Sequence, residues 1–317
     1  MTDLSIIIPH YNSAIQLEKL LLSIPKKDNI QIIVIDDKSN KEMDKLMILQ
    51  EAPQFNHILF LKNKTNKKGA GICRNIGLEK VKGKWVLFAD SDDFFIDDFY
   101  LKIESYFTSN YDVIFFKPTS VELGTDKKSD RHIQYENLIK NYYEKSDFKS
   151  EARLRYHFFV PWSKLIKVDF IKKNDILFDG VIASNDVMFS TKVGYHMKNF
   201  YVEKEVIYCV TKGTGTLTTT RSPNIYDARL NVFIEYYKFI HGNLKKEELK
   251  VIYLSGTGLL IEALRQNMGF KKMFSACSKL RKNKVRIFDK RILNPVFVSN
   301  KCIKLFKAYL KHKNLKD

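Results

Sequence analysis

The sequence predicts an α/β fold with a mostly parallel central sheet flanked by helices, followed by a C-terminal helical appendage. Short apolar runs at Leu4–Ile8, Gln31–Ile35, His57–Leu61 and Trp85–Ala89 alternate with stretches of helical period. The runs are apolar throughout, as in strands covered on both faces. Strand–helix alternation at this spacing favours right-handed crossovers and parallel pairing.

Each element has its own signal. Leu4-Ser5-Ile6-Ile7-Ile8 is a strand, halted at Pro9 and followed by His10-Tyr11-Asn12-Ser13, where Ser13 or Asn12 can cap a helix running to about Ile24. Leu17, Leu20, Leu21 and Ile24 share one face of it. The second strand ends at Asp36-Asp37-Lys38-Ser39, and a helix through Met43, Leu46 and Leu49 leads to the third. Gly69–Val81 reads as a helix stopped by Gly83, and the buried strand after it runs into Asp90-Ser91-Asp92-Asp93. A helix near Asp97–Tyr106 and a fifth strand at Asp112–Phe116 follow. Tyr135–Lys145 and Glu151–Phe158 are helical patterns among polar turns, and another helix starts at Ser184.

Three carboxylates in four residues repel one another unless a positive charge sits among them. At a strand's carboxyl end in an open α/β sheet they lie on the edge where such folds bind ligands. A divalent cation carrying a phosphorylated ligand satisfies this, because Mg²⁺ and Mn²⁺ take one or two carboxylates plus phosphate oxygens. A solvated acidic turn capping the next helix is the plainer alternative. The ends of strands one, two and four, with Tyr11, Asp36/Asp37 and Asp90/Asp92/Asp93, converge on one site. That site is not a dinucleotide fingerprint: PHYNS has no glycine, and Gly69-Ala70-Gly71-Ile72-Cys73-Arg74 puts arginine where the third glycine belongs. There is no Walker motif either.

Composition bounds the class. With 44% apolar and 13% aromatic residues in 317, the chain holds ample material for a packed core. Cys73, Cys209, Cys277 and Cys302 are far apart and form no C-x-x-C, which suggests reduced thiols of a cytosolic protein. No signal peptide is evident, and Val251–Leu264 is too short and too polar to span a membrane. The net charge is +18, and from Arg221 onward 22 Lys or Arg face 7 Asp or Glu. A nearly neutral domain, 1–220, is therefore expected before a basic helical region, 221–317.

SIIIPHYN, IIVIDDKS, GAGICRNIG, KWVLFADSDD, PWSKL and SNDVMF, in that order, resemble the family-2 inverting glycosyltransferases of bacterial surface-polysaccharide synthesis. The resemblance covers about Thr2–Gly215. It implies the GT-A nucleotide-sugar fold, a UDP-sugar donor, a Mn²⁺ or Mg²⁺ ion, and transfer with inversion to a glycan or lipid-linked acceptor. By the same resemblance, Pro9 and Tyr11 line the nucleobase pocket, with the Tyr11 ring on uracil and Asp37 accepting from the base N–H. Arg74 lies on the diphosphate side, although Cys73 stands where alanine is usual. Asp90 with Ser91 belongs to the donor side, Asp92 to donor and metal, and Asp93 is the next candidate ligand. Trp162 and Lys164 fall on the acceptor side. Asp186 takes the place of the general base, and Asn185 stands where the family usually has glutamate. Lys212–Thr216 reads as a loop over the diphosphate or as a linker.

Beyond Ile225 the pattern is helical, and Lys301–Lys311 winds into an amphipathic helix with an apolar arc and a lysine arc. Such a helix suits an anionic membrane surface and implies a protein held peripherally at the inner face of the cell membrane. Two other classes compete. A nucleotide-sugar-binding protein without turnover is suggested by Asn185. A nucleic-acid-binding protein is suggested by the charge, but no helix-turn-helix, zinc or RNP pattern supports it, and none is expected to bind.

Overall fold

The computed structural model describes residues 2–213 and 222–288. Lys301–Lys311, Cys302 and the loop from Thr214 to Thr216 lie outside them. In chain order the elements are β1 (Leu4–His10), α1 (Ala14–Leu22), β2 (Ile30–Asp36), α2 (Met43–Glu51), β3 (Leu59–Lys62), α3 (Ala70–Leu78), β4 (Trp85–Phe88) and β5 (Phe94–Phe95). They continue with α4 (Phe99–Glu104), β6 (Val113–Glu122), α5 (Ile133–Lys145), α6 (Phe148–His157), β7 (Lys164–Lys167), α7 (Val168–Lys173), α8 (Asp186–His196) and β8 (Phe200–Lys212). The last four are α9 (Pro223–Asn243), α10 (Lys246–Val251), α11 (Thr257–Arg265) and α12 (Gly269–Lys282).

The sheet order is β3-β2-β1-β4-β7-β6-β8-β5. β1 pairs in parallel with β2 and β4, and β2 with β3, in the expected crossover pattern. β7 runs antiparallel between β4 and β6, and β5 antiparallel on β8. The sheet is therefore mixed beyond β4. Alternation along β1 explains its uniformly apolar sequence. Leu4, Ile6 and Ile8 enter one core with Leu17, Leu20 and Leu21 of α1, while Ile7 enters a second core with Cys73 and Leu78 of α3. Burying each such side chain is worth about 1.5–3 kcal/mol.

Three expectations change. β1 does not stop at Pro9 but continues to His10, which is in register with Asp36. Pro9 pairs with Ile35 of β2 but falls past the last β1–β4 pair, Ile7 with Phe88, so its missing N–H interrupts no pairing with β4. The strand expected at Asp112–Phe116 runs to Glu122, because it finds a long partner in β8. The PWSKL segment supplies β7. Gly83 is where the chain turns into β4: a Cβ there would lie 2.6 Å from the Ser5 nitrogen, so only glycine lets the turn press against β1.

The chain divides into two compact units, and the division passes through α9. The first holds the sheet, the start of α9 and α10; among the described residues the second holds Phe233–Leu244 and 253–288. In the second, Leu280 of α12 packs on Gly256, where a Cβ would come within 2.6 Å of its Cδ1, and Thr257 donates to the Ile287 carbonyl at 2.8 Å. Among the described residues no helix is long and apolar enough to cross a membrane.

Candidate active site

The site forms at the carboxyl ends of β1, β2 and β4. Past β1 the chain is clamped to the loop past β2. The Asn12 N–H donates to Ser39 Oγ at 2.9 Å, and Asn12 Oδ1 accepts from the Asn40 and Lys41 N–H groups. Asn12 has φ +53°, a left-handed conformation that asparagine tolerates. His10 is buried and contacts Asp36 Oδ1 at 3.0 Å through Nδ1, while its Nε2 accepts from the Ser13 N–H. Burial pushes the Asp36 carboxyl up, but hydrogen bonds from His10 and Ser39 outweigh it and hold it below its ordinary value. This clamp leaves Tyr11 standing out, 48% exposed, with Lys68 Nζ 4.4 Å from its ring centroid. Pro9 is a buried strand residue opposite Ile35.

Asp37 is buried. Its Oδ1 accepts from Asn63 Nδ2 and its Oδ2 from the Gly69 N–H, each at 2.7 Å. It thereby fixes the start of α3. Gly69 has φ +135°, and at Gly71 a Cβ would sit 2.4 Å from the Asp179 carbonyl. The glycines of this turn therefore let α3 approach the 179–185 loop closely. Asn75 completes the junction by exchanging both backbone hydrogen bonds with Phe178.

α3 carries the buried Arg74. Its Nη2 donates to Asp90 Oδ1 at 2.5 Å and its Nη1 to Asn185 Oδ1 at 2.7 Å, while Nε is buried without a partner among the described residues. Asn185 is the N-cap of α8 and makes no side-chain cap, because its oxygen is committed to Arg74. Asp186 follows as the first helical residue. Burial pushes its carboxyl up, and Asp90 adds to this, while Arg74 and Lys164 pull it back.

The acidic cluster resolves into three roles. Asp90 is the ion-pair partner of Arg74. Asp93 was the next expected metal ligand; each of its oxygens already holds one hydrogen bond toward β8, Oδ2 from the Tyr208 hydroxyl at 2.9 Å and Oδ1 from the Thr211 N–H at 2.7 Å. It is a buried brace to β8. The Tyr208 oxygen also accepts from the Asp90 N–H, so one phenol ties the cluster together. Asp92 is half-buried and, among the described residues, carries no side-chain hydrogen bond or ion pair to another residue. Burial, then Asp90, push its carboxyl up, with Arg131 opposing. Ser91 is buried with its Oγ 2.8 Å from Ser13 Oγ, which joins this loop to the start of α1.

Among the described residues no three His, Cys, Asp or Glu side chains converge to hold an ion unaided. The donor set nonetheless fits a hard cation shared with a diphosphate, which needs one or two carboxylates, here Asp92 and the second oxygen of Asp90.

On the expected acceptor side the structure gives packing. Trp162 is 2% exposed, stacked at 20° on Tyr208 and edge-on to Tyr135, so its faces are covered by protein rings. Lys164 is fully enclosed and donates to the Phe158 carbonyl at 2.6 Å and to Ser190 Oγ at 3.0 Å. Burial pushes its amine down to about 7, with Asp186 opposing. Lys164 therefore braces α8, one turn beyond Asp186, against the chain before β7.

Sequence reasoning did not single out Asn63, Tyr208, Thr211 or Arg131. Tyr208 lies in an apolar run, VIYCV, whose strand pattern was the available signal. Arg131, whose Nη1 donates to the Thr211 carbonyl at 2.6 Å, sits in no motif.

An exposed tyrosine, an acidic loop and a buried arginine thus meet at the carboxyl edge of an α/β sheet, the edge where folds of this class bind ligands. Residues 5–174 match Glycosyl transferase family 2, and the chain belongs to that family. It is 27% identical over 224 residues to the poly(ribitol-phosphate) beta-N-acetylglucosaminyltransferase TarS of Staphylococcus aureus, covering 68% of this chain and 36% of TarS. It is 26% identical over 212 residues to the poly(ribitol-phosphate) beta-glucosyltransferase of Bacillus spizizenii, covering 65% of this chain and 31% of that one. The chain thus spans about a third of the length of these relatives. Among solved structures, TarS 1-349 in complex with UDP-GlcNAc superposes with a TM-score of 0.59 at 20% identity, covering 79% of this chain and 70% of that one. The mannosyltransferase PcManGT of Pyrobaculum calidifontis, in complex with GDP-Man and Mn²⁺, gives 0.56 at 13% identity over 98% and 83%. These likenesses show the GT-A fold.

Proposed function

We propose that the chain is an inverting glycosyltransferase. It moves a sugar from a nucleotide-diphosphate donor, a UDP-sugar, to a hydroxyl of a bacterial surface glycan or lipid-linked oligosaccharide. The observation that carries this reading is Arg74, which joins the acidic loop to the start of α8 and so sets Asp186 beside the donor edge of the sheet.

The Tyr11 ring offers an open face on which a uracil stacks, and the Asp37 oxygens, each with one hydrogen bond filled, retain capacity for the base N–H. Asp186 removes the proton from the acceptor hydroxyl as that oxygen bonds to the anomeric carbon. The bond from that carbon to the diphosphate breaks on the opposite face, UDP leaves with its electron pair, and the configuration inverts. The upward displacement of the Asp186 carboxyl makes it a stronger base than an exposed aspartate. Arg74 opposes the negative charge that grows near Asp90. A Mn²⁺ or Mg²⁺ ion, when bound at Asp92, supplies positive charge against the departing diphosphate.

A second reading, nucleotide-sugar binding without turnover, draws on Asn185 in place of the family's glutamate. Asp186→Asn in a UDP-sugar transfer or hydrolysis assay separates the two: loss of turnover with UDP binding retained supports the enzyme. A wild type that binds donor but never turns it over supports the binder. A lipid-linked acceptor would hold the protein at the inner face of the cell membrane, where the basic C-terminal region meets anionic lipid.

A further inference from the structure

The second compact unit exposes a patch that its own packing does not use. α12 buries Ala276 and Leu280, with Met273 partly covered. Phe270 and Phe274, one turn apart, point away from that side and are 87% and 77% exposed. On α11, Ile261 and Leu264, three residues apart and hence on one face, are exposed as well. Leu264, Phe270 and Met273 line a single shallow hollow of about 240 Å³, which joins the two helices, and Phe274 lies one turn beyond Phe270.

That surface is framed by positive charge. Residues 257–288 contain eight Lys or Arg and one acidic residue, Glu262. Lys271 adjoins Phe270, and Arg281 lies along the same side of α12 as Phe270 and Phe274 by the helical period. Water-facing aromatics grouped in this way mark an interaction surface. A second copy would bring like charges together. An anionic bilayer accepts phenylalanine at the headgroup boundary and Lys or Arg against its phosphates.

We propose that this α11–α12 surface docks the protein onto anionic lipid, with Phe270 and Phe274 inserted and Lys271 and Arg281 on the headgroups. The proposal rests on the membrane placement given above and not on the chemistry of the sugar site.

The test is co-sedimentation of the full chain with phosphatidylcholine vesicles, with and without phosphatidylglycerol. It compares the wild type, a Phe270→Ser/Phe274→Ser variant and a Lys271→Glu/Arg281→Glu variant, with UDP titrated into each. All four positions are exposed, so the variants keep the fold, which circular dichroism checks. The expected result is binding of the wild type to the anionic vesicles and a loss of at least ~10-fold in partition for each variant. Equal partition of wild type and variants would move membrane contact to another part of the chain and overturn the proposal. So would absence of binding, or self-association of the wild type that the serine variant abolishes. UDP affinity is expected to be the same in all three proteins. Absence of UDP binding would count against the donor reading and leave the vesicle result to stand by itself.

Discussion

The Arg74 guanidinium donates to the Asn185 side-chain oxygen at 2.7 Å, and through this contact helix α3 sets the N-cap from which Asp186 begins α8. The same group pairs with Asp90, so the acidic loop and Asp186, the proposed base, share one buried cation. Arg74→Met leaves Asp90 unpaired and Asp186 without its main opposing charge. Breaking a buried pair from one side costs about 3 kcal/mol, seen as a lower midpoint in urea unfolding. The surviving activity is expected to have its acid limb displaced to higher pH, because the Asp186 carboxyl rises further once Arg74 is gone. An unchanged limb would remove Arg74 from the control of Asp186.

Asp186→Asn keeps shape and removes the proton acceptor. Turnover is expected to fall at least ~10²-fold while UDP affinity stays within a factor of a few. In the wild type the base works only when ionised, and its carboxyl is raised. Rate is therefore lost as pH falls through a value above that of an ordinary aspartate. A kcat/KM profile measured on both proteins checks this; near-normal turnover of the variant would move the base elsewhere.

The part of the site legible in the sequence is the part built from contiguous motifs. The β1 and β2 ends, the glycine turn before α3 and the acidic loop each announce themselves by an apolar run that meets turn or acidic residues. What joins these motifs is not contiguous. Tyr208 ties Asp90 to Asp93 from a strand more than a hundred residues away, and its apolar neighbours give no hint that its hydroxyl is used. Trp162 and Lys164 show the converse. Their residue types suit sugar contact, yet Tyr208, Tyr135 and the Phe158 carbonyl occupy them, which only the packing of β7 against α8 decides. The mixed half of the sheet was hidden for the same reason: β7 is four residues long and takes its partners from either side.

The free Asp92 carboxylate makes a prediction about binding alone. With Mn²⁺ or Mg²⁺ present, UDP is expected to bind by calorimetry. With chelator, where the bare carboxylate and diphosphate repel one another, or in Asp92→Ala, where the ion loses its holder, affinity is expected to drop by at least ~10-fold. Metal-independent UDP binding of equal strength would exclude Asp92 as the holder of the ion.

The enclosed Lys164 makes a prediction about stability. Its amine is pushed down to about 7 by burial, whereas in the unfolded chain it titrates near an ordinary lysine. Between those values the unfolded state binds more protons than the folded one, so this lysine adds stability as pH rises through that window, at most about 1.4 kcal/mol per pH unit. Below pH 7 both states carry the charge, and the full penalty of enclosing it applies, offset by its bonds to the Phe158 carbonyl and Ser190. Lys164→Met removes the titrating group while filling a similar volume. Urea unfolding of both proteins from pH 6 to pH 10 is expected to show the wild type gaining stability relative to the variant as pH increases. A difference between the two that stays flat across the range would mean that Lys164 is solvated and that α8 is braced without a buried amine.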